Sequence, residues 1–182
     1  IASVMPIAAC GDTLLLMLPA QSSRLAACAC ANLGSFVLDY VARQKVNGTH
    51  LKFHVFRQLP LVPPAVYDCR ADWSSGELLL EWVFSRALEL LYTAWDLEPF
   101  AQDCGHQGPP FHWQSERRFQ IRCELDAGFF HLYGISRSDV AYIMDAFPVV
   151  RRRDEESHGV YRTRETILAI YDAMAEATRT GR

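Results

Sequence analysis

Apolar side chains recur at helical spacing, three or four residues apart, along five stretches of the chain. The first stretch follows the serine pair at 22–23, either of which can cap a helix, and Asn47-Gly48 ends it. Ser136 precedes the fourth stretch and Asp139 follows three residues later, an arrangement close to a capping box. The spacing therefore predicts helices over residues 23–45, 77–91, 115–133, 136–147 and 163–178.

The front of the chain has a different pattern. Residues 1–6 and 13–19 are short apolar runs separated by a Gly-Asp turn, which is typical of two strands. Residues 51–58 fit either a short strand or a helical turn, whereas the prolines of 59–64 favour extended backbone. The sequence therefore predicts an α+β, helix-rich fold, with short N-terminal strands and a long helix followed by a C-terminal helical cluster.

The loop-like composition of residues 65–76 predicts a division of the chain. Residues 1–64 would then be the end of a target-recognition-like α+β unit, 65–76 a linker, and 77–182 a helical C-terminal region. The charged run at 151–156 is predicted to leave the helical pattern as a solvated excursion. Because the chain opens at Ile1 with a strand-like run, we expect it to be a fragment whose missing part lies upstream.

Composition narrows the compartment and the chemistry. The chain has 182 residues, of which 50% are hydrophobic, as in a soluble globular domain. Its six cysteines show no disulfide-framework spacing, which favours a reduced, cytoplasmic location. Cys28 and Cys30 lie two apart in a predicted helix and face different ways, and the set of Cys104, His106 and His112 lacks a fourth ligand, so no metal site is predicted.

Charge is unevenly distributed along the chain. The formal net charge is −3, but residues 1–60 carry five Lys or Arg against two Asp, which is +3 and leaves −6 for the rest. A phosphate backbone attracts basic side chains, so the first third of the chain is the part suited to face nucleic acid. The remainder cannot do so uniformly.

The stretch from Arg43 to Pro64 concentrates this basic character. Lys45 and Lys52, the only lysines of the chain, both lie in it, on either side of a glycine turn. Lys and Arg neutralise phosphates, whereas Gln, Thr and His donate to phosphates or read base edges. The candidate DNA-binding residues are Arg43, Gln44, Lys45, Thr49, His50 and Lys52. The competing interpretation is a polar helix end followed by a solvated turn.

Two runs of sequence carry a resemblance to a known family. LGSFVLDYVARQKVNGTHLKFHVFRQLPLVPP, at 33–64, resembles the helix, turn and proline-rich exit near the end of target-recognition regions in bacterial type II restriction-modification N6-adenine DNA methyltransferases. Its layout is also similar to that of type I specificity subunits. ELDAGFFHLYGISRSDVAYIMDAFP, at 124–148, resembles the C-terminal helices of the same enzymes. The likeness is looser elsewhere but covers nearly the whole chain.

The resemblance implies a role in recognition without catalysis. The family's methylase carries an Asn-Pro-Pro-Tyr-type motif for the flipped adenine and a Gly-rich loop for S-adenosylmethionine, and this chain has neither; Pro109-Pro110 follows a glycine in a loop. The resemblance thus implies no catalytic or cofactor-binding residue here. It implies double-stranded DNA and an upstream methylase domain of the same chain as partners, with S-adenosylmethionine bound by that domain.

Two other functions fit parts of the sequence. The acidic middle and the broad apolar faces of the predicted helices suit a scaffold that docks on the methylase or a partner subunit without touching bases. A Cys–His nucleophile built from Cys104 with His106 or His112 would instead make the chain a hydrolase. Target recognition is the function that the resemblance favours.

Overall fold

Helices make up all the regular structure in the described part of the chain. The computed structural model describes residues 2–11, 14–46, 48 and 50–181, and these contain no β-strand, only an isolated antiparallel bridge between Arg70 and Leu78. Short 3-10 turns occupy Pro64–Asp68 and Trp95–Leu97. The α-helices are α1 Ser23–Leu33, α2 Phe36–Lys45, α3 Phe53–Phe56, α4 Leu79–Leu91, α5 Glu98–Asp103, α6 Ser115–Leu132, α7 Arg137–Asp145, α8 Pro148–His158 and α9 Arg162–Thr180.

The α+β prediction is wrong, and the fold is all-α. The described residues of the two predicted N-terminal strands have no regular structure, and Leu18, in the second of them, is almost fully exposed. Strand-like composition becomes a strand only when a neighbouring strand completes its hydrogen bonds. No described segment supplies that neighbour, so the composition alone was misleading.

The predicted single helix over 23–45 is also wrong, because it breaks at Gly34-Ser35 into α1 and α2 with a bend of 65°. The Ser35 hydroxyl donates to the Asn32 carbonyl at 2.7 Å, and the Phe36 amide donates to Asp126 Oδ1 at 2.7 Å. A carboxylate from α6 therefore caps α2. Within the described ranges no single helix has the length and hydropathy of a membrane span; α1 and α2 meet those criteria only when counted together.

The later helices follow the sequence pattern closely. Helices α4, α6, α7 and α9 begin and end within two residues of the predicted bounds, and the Ser136 hydroxyl accepts from the Asp139 amide at 3.3 Å. The prediction that the charged run 151–156 leaves the helical pattern is wrong, because these residues lie inside α8. Pro148 opens that helix, and Arg151 pairs with Glu155 at 2.7 Å across one helical turn.

Helix α6 lies at the centre of the main core, packed against α9 and α4. Phe129, Phe130 and Ile167 are at most 1% exposed there. Gly128 lets α6 approach α4, since a Cβ at that position would stand 2.8 Å from the Trp82 ring. The predicted linker 65–76 contributes buried side chains to the same core through Tyr67 and Ala71. The proposed division into regions remains a prediction.

A second, smaller core lies under the stretch that the sequence singled out. Its buried members are Leu33, Leu38, Ala42 and Leu59. The ambiguous run 51–58 proves to be the short helix α3, after which residues 59–63 run across the surface. We call residues 59–63 the strap. The buried Asn32 side chain accepts from the Val62 amide at 3.0 Å, so the strap is tied to the end of α1.

Candidate nucleic-acid surface and arginine cavity

The described members of the predicted DNA-binding set are exposed at the end of α2 and just before α3, two helices that contact each other and form one corner of the fold. Arg43, Gln44 and Lys45 are exposed on the last turn of α2, whose C-terminal end favours basic side chains. His50 and Lys52 are exposed just beyond the turn. Thr49 lies outside the described residues. Gly48, between the two groups in the sequence, has φ of 126°, a backbone conformation that favours glycine.

Arg43 is held by its own helix. Its guanidinium donates twice to the Asp39 carboxylate, at 3.1 Å each, and lies 5.0 Å from the centre of the Phe147 ring. An exposed ion pair of this kind contributes only about 0.2–1 kcal/mol, so a phosphate can replace the carboxylate. Arg43 is therefore oriented at the surface, but it is a weaker phosphate anchor than a guanidinium with no carboxylate partner.

A chain of polar contacts joins the two halves of the corner. Lys45 Nζ donates to Gln58 Oε1 at 3.4 Å, and Gln58 Nε2 donates to the His54 carbonyl at 2.9 Å. The end of α2 and the residues after α3 are thereby held side by side. The exposed side chains at the end of α2 therefore lie beside those that follow α3.

Two basic residues that were not among the predicted contacts join this corner. His54 and Arg57 line a shallow depression with Lys52 and the half-exposed ring of Phe53. In the described structure neither Lys52 nor Arg57 has a carboxylate within 4.0 Å. We call this set the basic surface: Arg43, Lys45, His50, Lys52, His54 and Arg57.

A signal in the sequence marks the basic surface. From Tyr40 to Tyr67 there is no Asp or Glu, while two Arg and two Lys are present, which makes the segment +4. Asp12 and Asp39 hide this signal when charge is summed over residues 1–60. Arg57 belongs to the same acid-free run, so the run itself marks Arg57 as part of the basic surface.

A separate cavity of about 500 Å³ lies where six helices converge. Its apolar wall includes Phe36, Leu90 and Phe119, contributed by α2, α4 and α6. Three arginines also line it: Arg118, Arg122 and Arg153. We call it the arginine cavity. Cavities of about 300–1,000 Å³ are the usual size for small-molecule sites. Nothing in the sequence pattern indicated it, because its lining comes from helices far apart in the chain.

The carboxylates of the arginine cavity are both engaged by helix N-termini. Asp126 accepts from the Phe36 amide of α2, and Asp154 accepts from the Thr163 amide of α9 at 2.6 Å. Burial raises the pKa of Asp126 to about 7, against the opposing effects of the Phe36 amide and the Arg122 charge. Asp126 is thus a buried acid that titrates near neutrality.

The arginines of the cavity differ in their partners. Arg118 donates to the Leu90 carbonyl at 3.0 Å and lies 3.9 Å from the centre of the Trp113 ring. Arg122 and Arg153 have no carboxylate within 4.0 Å among the residues described here. These two guanidiniums are therefore available to an anion entering the cavity.

Nucleophilic chemistry at Cys104 is poorly supported by its surroundings. The residue is buried, and burial raises the pKa of its thiol to about 11, which disfavours the reactive thiolate. Burial likewise raises the pKa of Cys28 to about 12. No group of three or more His, Cys, Asp or Glu side chains converges as metal ligands within the described part of the chain.

Comparisons with protein-family models, with curated proteins and with solved structures find no match to this chain. The features that bear on function are the basic surface, the arginine cavity and the resemblance carried by residues 33–64 and 124–148.

Proposed function

We propose that this chain binds double-stranded DNA through its basic surface and helps select the sequence methylated by an upstream domain of the same protein. The supporting observation is the acid-free segment from Tyr40 to Tyr67, which presents its Lys and Arg side chains at one corner. Positive side chains without carboxylate partners are what a phosphate backbone attracts. The resemblance supplies the class of enzyme: a bacterial, cytoplasmic N6-adenine DNA methyltransferase.

The residues of the basic surface, together with Gln44 and Thr49 beside them in the sequence, divide by chemistry. Lys45, Lys52 and Arg57 would contact phosphates, which fixes register on the duplex without reading sequence. Gln44, Thr49 and His50, next to the turn, carry the amide, hydroxyl and imidazole groups suited to reading base edges. Methyl transfer from S-adenosylmethionine would belong to the upstream domain, since this chain lacks the motifs for it.

The proposal is tested by measuring how DNA binding depends on salt. The triple variant K45A/K52A/R57A is compared with R151A/R152A/R179A, which removes three charges from side chains paired along α8 and α9. Loss of three phosphate contacts should make the negative slope of log K against log salt shallower by about 2.7. Fluorescence anisotropy with a labelled duplex measures that slope, and the matched control should keep the wild-type value. Equal slopes for both variants would contradict the proposal.

A scaffold function is the second candidate, and the N-terminal segment favours it. Six of its described residues are exposed large apolar side chains: Met5, Ile7, Leu14, Leu16, Met17 and Leu18. Exposed apolar side chains at this density mark a surface that packs on another protein. The double variant I7S/L18S should then weaken association with a separately produced upstream domain. Unchanged association would remove the support for this candidate, and DNA binding is measured in parallel to separate the two functions.

A further inference from the structure

The arginine cavity has no role in the proposed DNA contact, and its lining combines two kinds of surface. One wall is apolar, with Phe36 and Phe119 as its aromatic members. Among the described residues that line it, the charged side chains are three arginines and two aspartates, a formal balance of +1. A ligand that suits both parts has an apolar or aromatic body and a negatively charged group.

The availability of the charges favours an anion over a cation. Each aspartate already accepts a backbone amide at a helix N-terminus, Asp126 from Phe36 and Asp154 from Thr163. In the described structure the guanidiniums of Arg122 and Arg153 have no carboxylate within 4.0 Å. A ligand that enters the cavity therefore meets guanidinium N–H donors without a carboxylate partner, whereas each carboxylate already accepts one hydrogen bond. Arginine guanidiniums bind both carboxylate and phosphate through parallel N–H donors, and phosphate, with three strong acceptor oxygens, is the anion that can accept from two guanidiniums at once.

We propose that the arginine cavity binds a small organic phosphate monoester, with the phosphate on Arg122 and Arg153 and the organic body against Phe36 and Phe119. The volume of about 500 Å³ accommodates a molecule the size of a nucleoside monophosphate. This site is independent of the basic surface and of the DNA-binding proposal. Phosphodiester groups of DNA share part of the same chemistry, so the test must distinguish the two sources.

The experiment titrates adenosine monophosphate into the 182-residue chain by isothermal calorimetry. Wild type should bind with Kd below about 1 mM. The variant R122A/R153A should bind at least about tenfold more weakly, because it loses both charge-assisted contacts. The control R152A/R179A removes two arginines outside the cavity and should keep the wild-type Kd. Both variants change exposed side chains, so thermal unfolding should confirm that each remains folded.

Three results would overturn the proposal. The first is no heat of binding for wild type at millimolar ligand, and the second is an equal loss of affinity in R152A/R179A. The third is inorganic phosphate binding as tightly as adenosine monophosphate, since the apolar wall would then contribute nothing. A filling variant, Ala31→Phe, tests that wall with the charges intact and should weaken adenosine monophosphate binding as well.

Two further measurements separate this site from the DNA contact. K45A/K52A/R57A should bind adenosine monophosphate like wild type, even if it loses DNA. Displacement of adenosine monophosphate by duplex DNA, together with weaker DNA binding by R122A/R153A, would instead assign the cavity to a DNA phosphate and would overturn the small-molecule proposal.

Discussion

The main core and the small core beneath the basic surface stabilise their parts of the molecule in different ways. The main core packs α6 against α4 and α9 through large, fully buried side chains such as Phe129 and Phe130. The small core has only four buried apolar residues, and polar contacts from Asn32 and Tyr133 complete it. Burial of apolar area sets the shape of the body, whereas hydrogen bonds set the position of the strap and its neighbouring helix.

Truncating the main core should have the largest effect. Phe130 is 0% exposed, and Phe130→Ala should lower the free energy of unfolding by about 3–5 kcal/mol. Phe53→Ala, at a ring that is 55% exposed beside the basic surface, is the matched control and should change it by less than about 0.5 kcal/mol. Urea denaturation measures both. Similar losses of unfolding free energy in the two variants would show that apolar burial stabilises both regions equally.

Asp126 joins the two regions, because it extends from α6 to cap α2. Its pKa is raised from 3.8 to about 7, so the folded state binds more protons than the unfolded state between those values. The free energy of unfolding should therefore fall as pH rises through that window, by at most about 4 kcal/mol at about 1.4 kcal/mol per pKa unit.

Asp126→Asn keeps an oxygen to accept from the Phe36 amide but does not ionise. The fall in unfolding free energy that Asp126 causes between pH 4 and 7 should be absent from this variant, while the pH dependence due to other groups remains. At pH 8 the variant should have a larger unfolding free energy than wild type. Urea denaturation at several pH values gives the comparison. Parallel curves for the two proteins would contradict the assignment.

Removing the polar contact beneath the strap should have an intermediate effect. Asn32→Ala leaves the part-buried Val62 amide without its acceptor, which costs about 1–3 kcal/mol. Hydrogen exchange should quicken first at Val62, before the main core opens. If the loss of protection instead spread evenly across α6 and α9, the small core would not be a separate unit.

The smallest effect is expected at the close approach of α6 and α4. Gly128→Ala gains about 1 kcal/mol in helix propensity, but the new methyl meets the Trp82 ring and overpacking costs about 1–3 kcal/mol. A net destabilisation of about 1 kcal/mol should appear in thermal unfolding. A stabilised variant would mean that the Trp82 ring moves aside freely. Gly134→Ala cannot serve as a control for helix propensity, because Gly134 has a positive φ that strains an alanine.

Local patterns predicted the parts of the fold that depend on near neighbours. The bounds of α6 and the Ser136 cap follow from apolar spacing and from residues three apart, so they could be predicted. The break at Gly34-Ser35 could not, because its capping carboxylate, Asp126, lies 90 residues away. The strands were wrong for the related reason that apolar composition does not reveal whether a pairing partner exists.

The candidate sites divide in the same way. Lys45, His50 and Lys52 lie close together in sequence, so they could be grouped as one candidate set without knowledge of the fold, and their contact with DNA remains a prediction. The arginine cavity required knowledge of how six helices pack. Its two unpaired guanidiniums come from α6 and α8, and only the fold shows that they line one space.

Tyr133 follows α6 directly, and its hydroxyl lies 2.6 Å from the Pro60 carbonyl and 3.1 Å from Asn32 Oδ1. The strap is therefore fastened at the C-terminal end of the central helix. Displacing the strap therefore requires breaking contacts with both α1 and the end of α6. Tyr133 also packs against both hydrophobic cores, so one side chain couples the corner that carries the basic surface to the main body of the molecule.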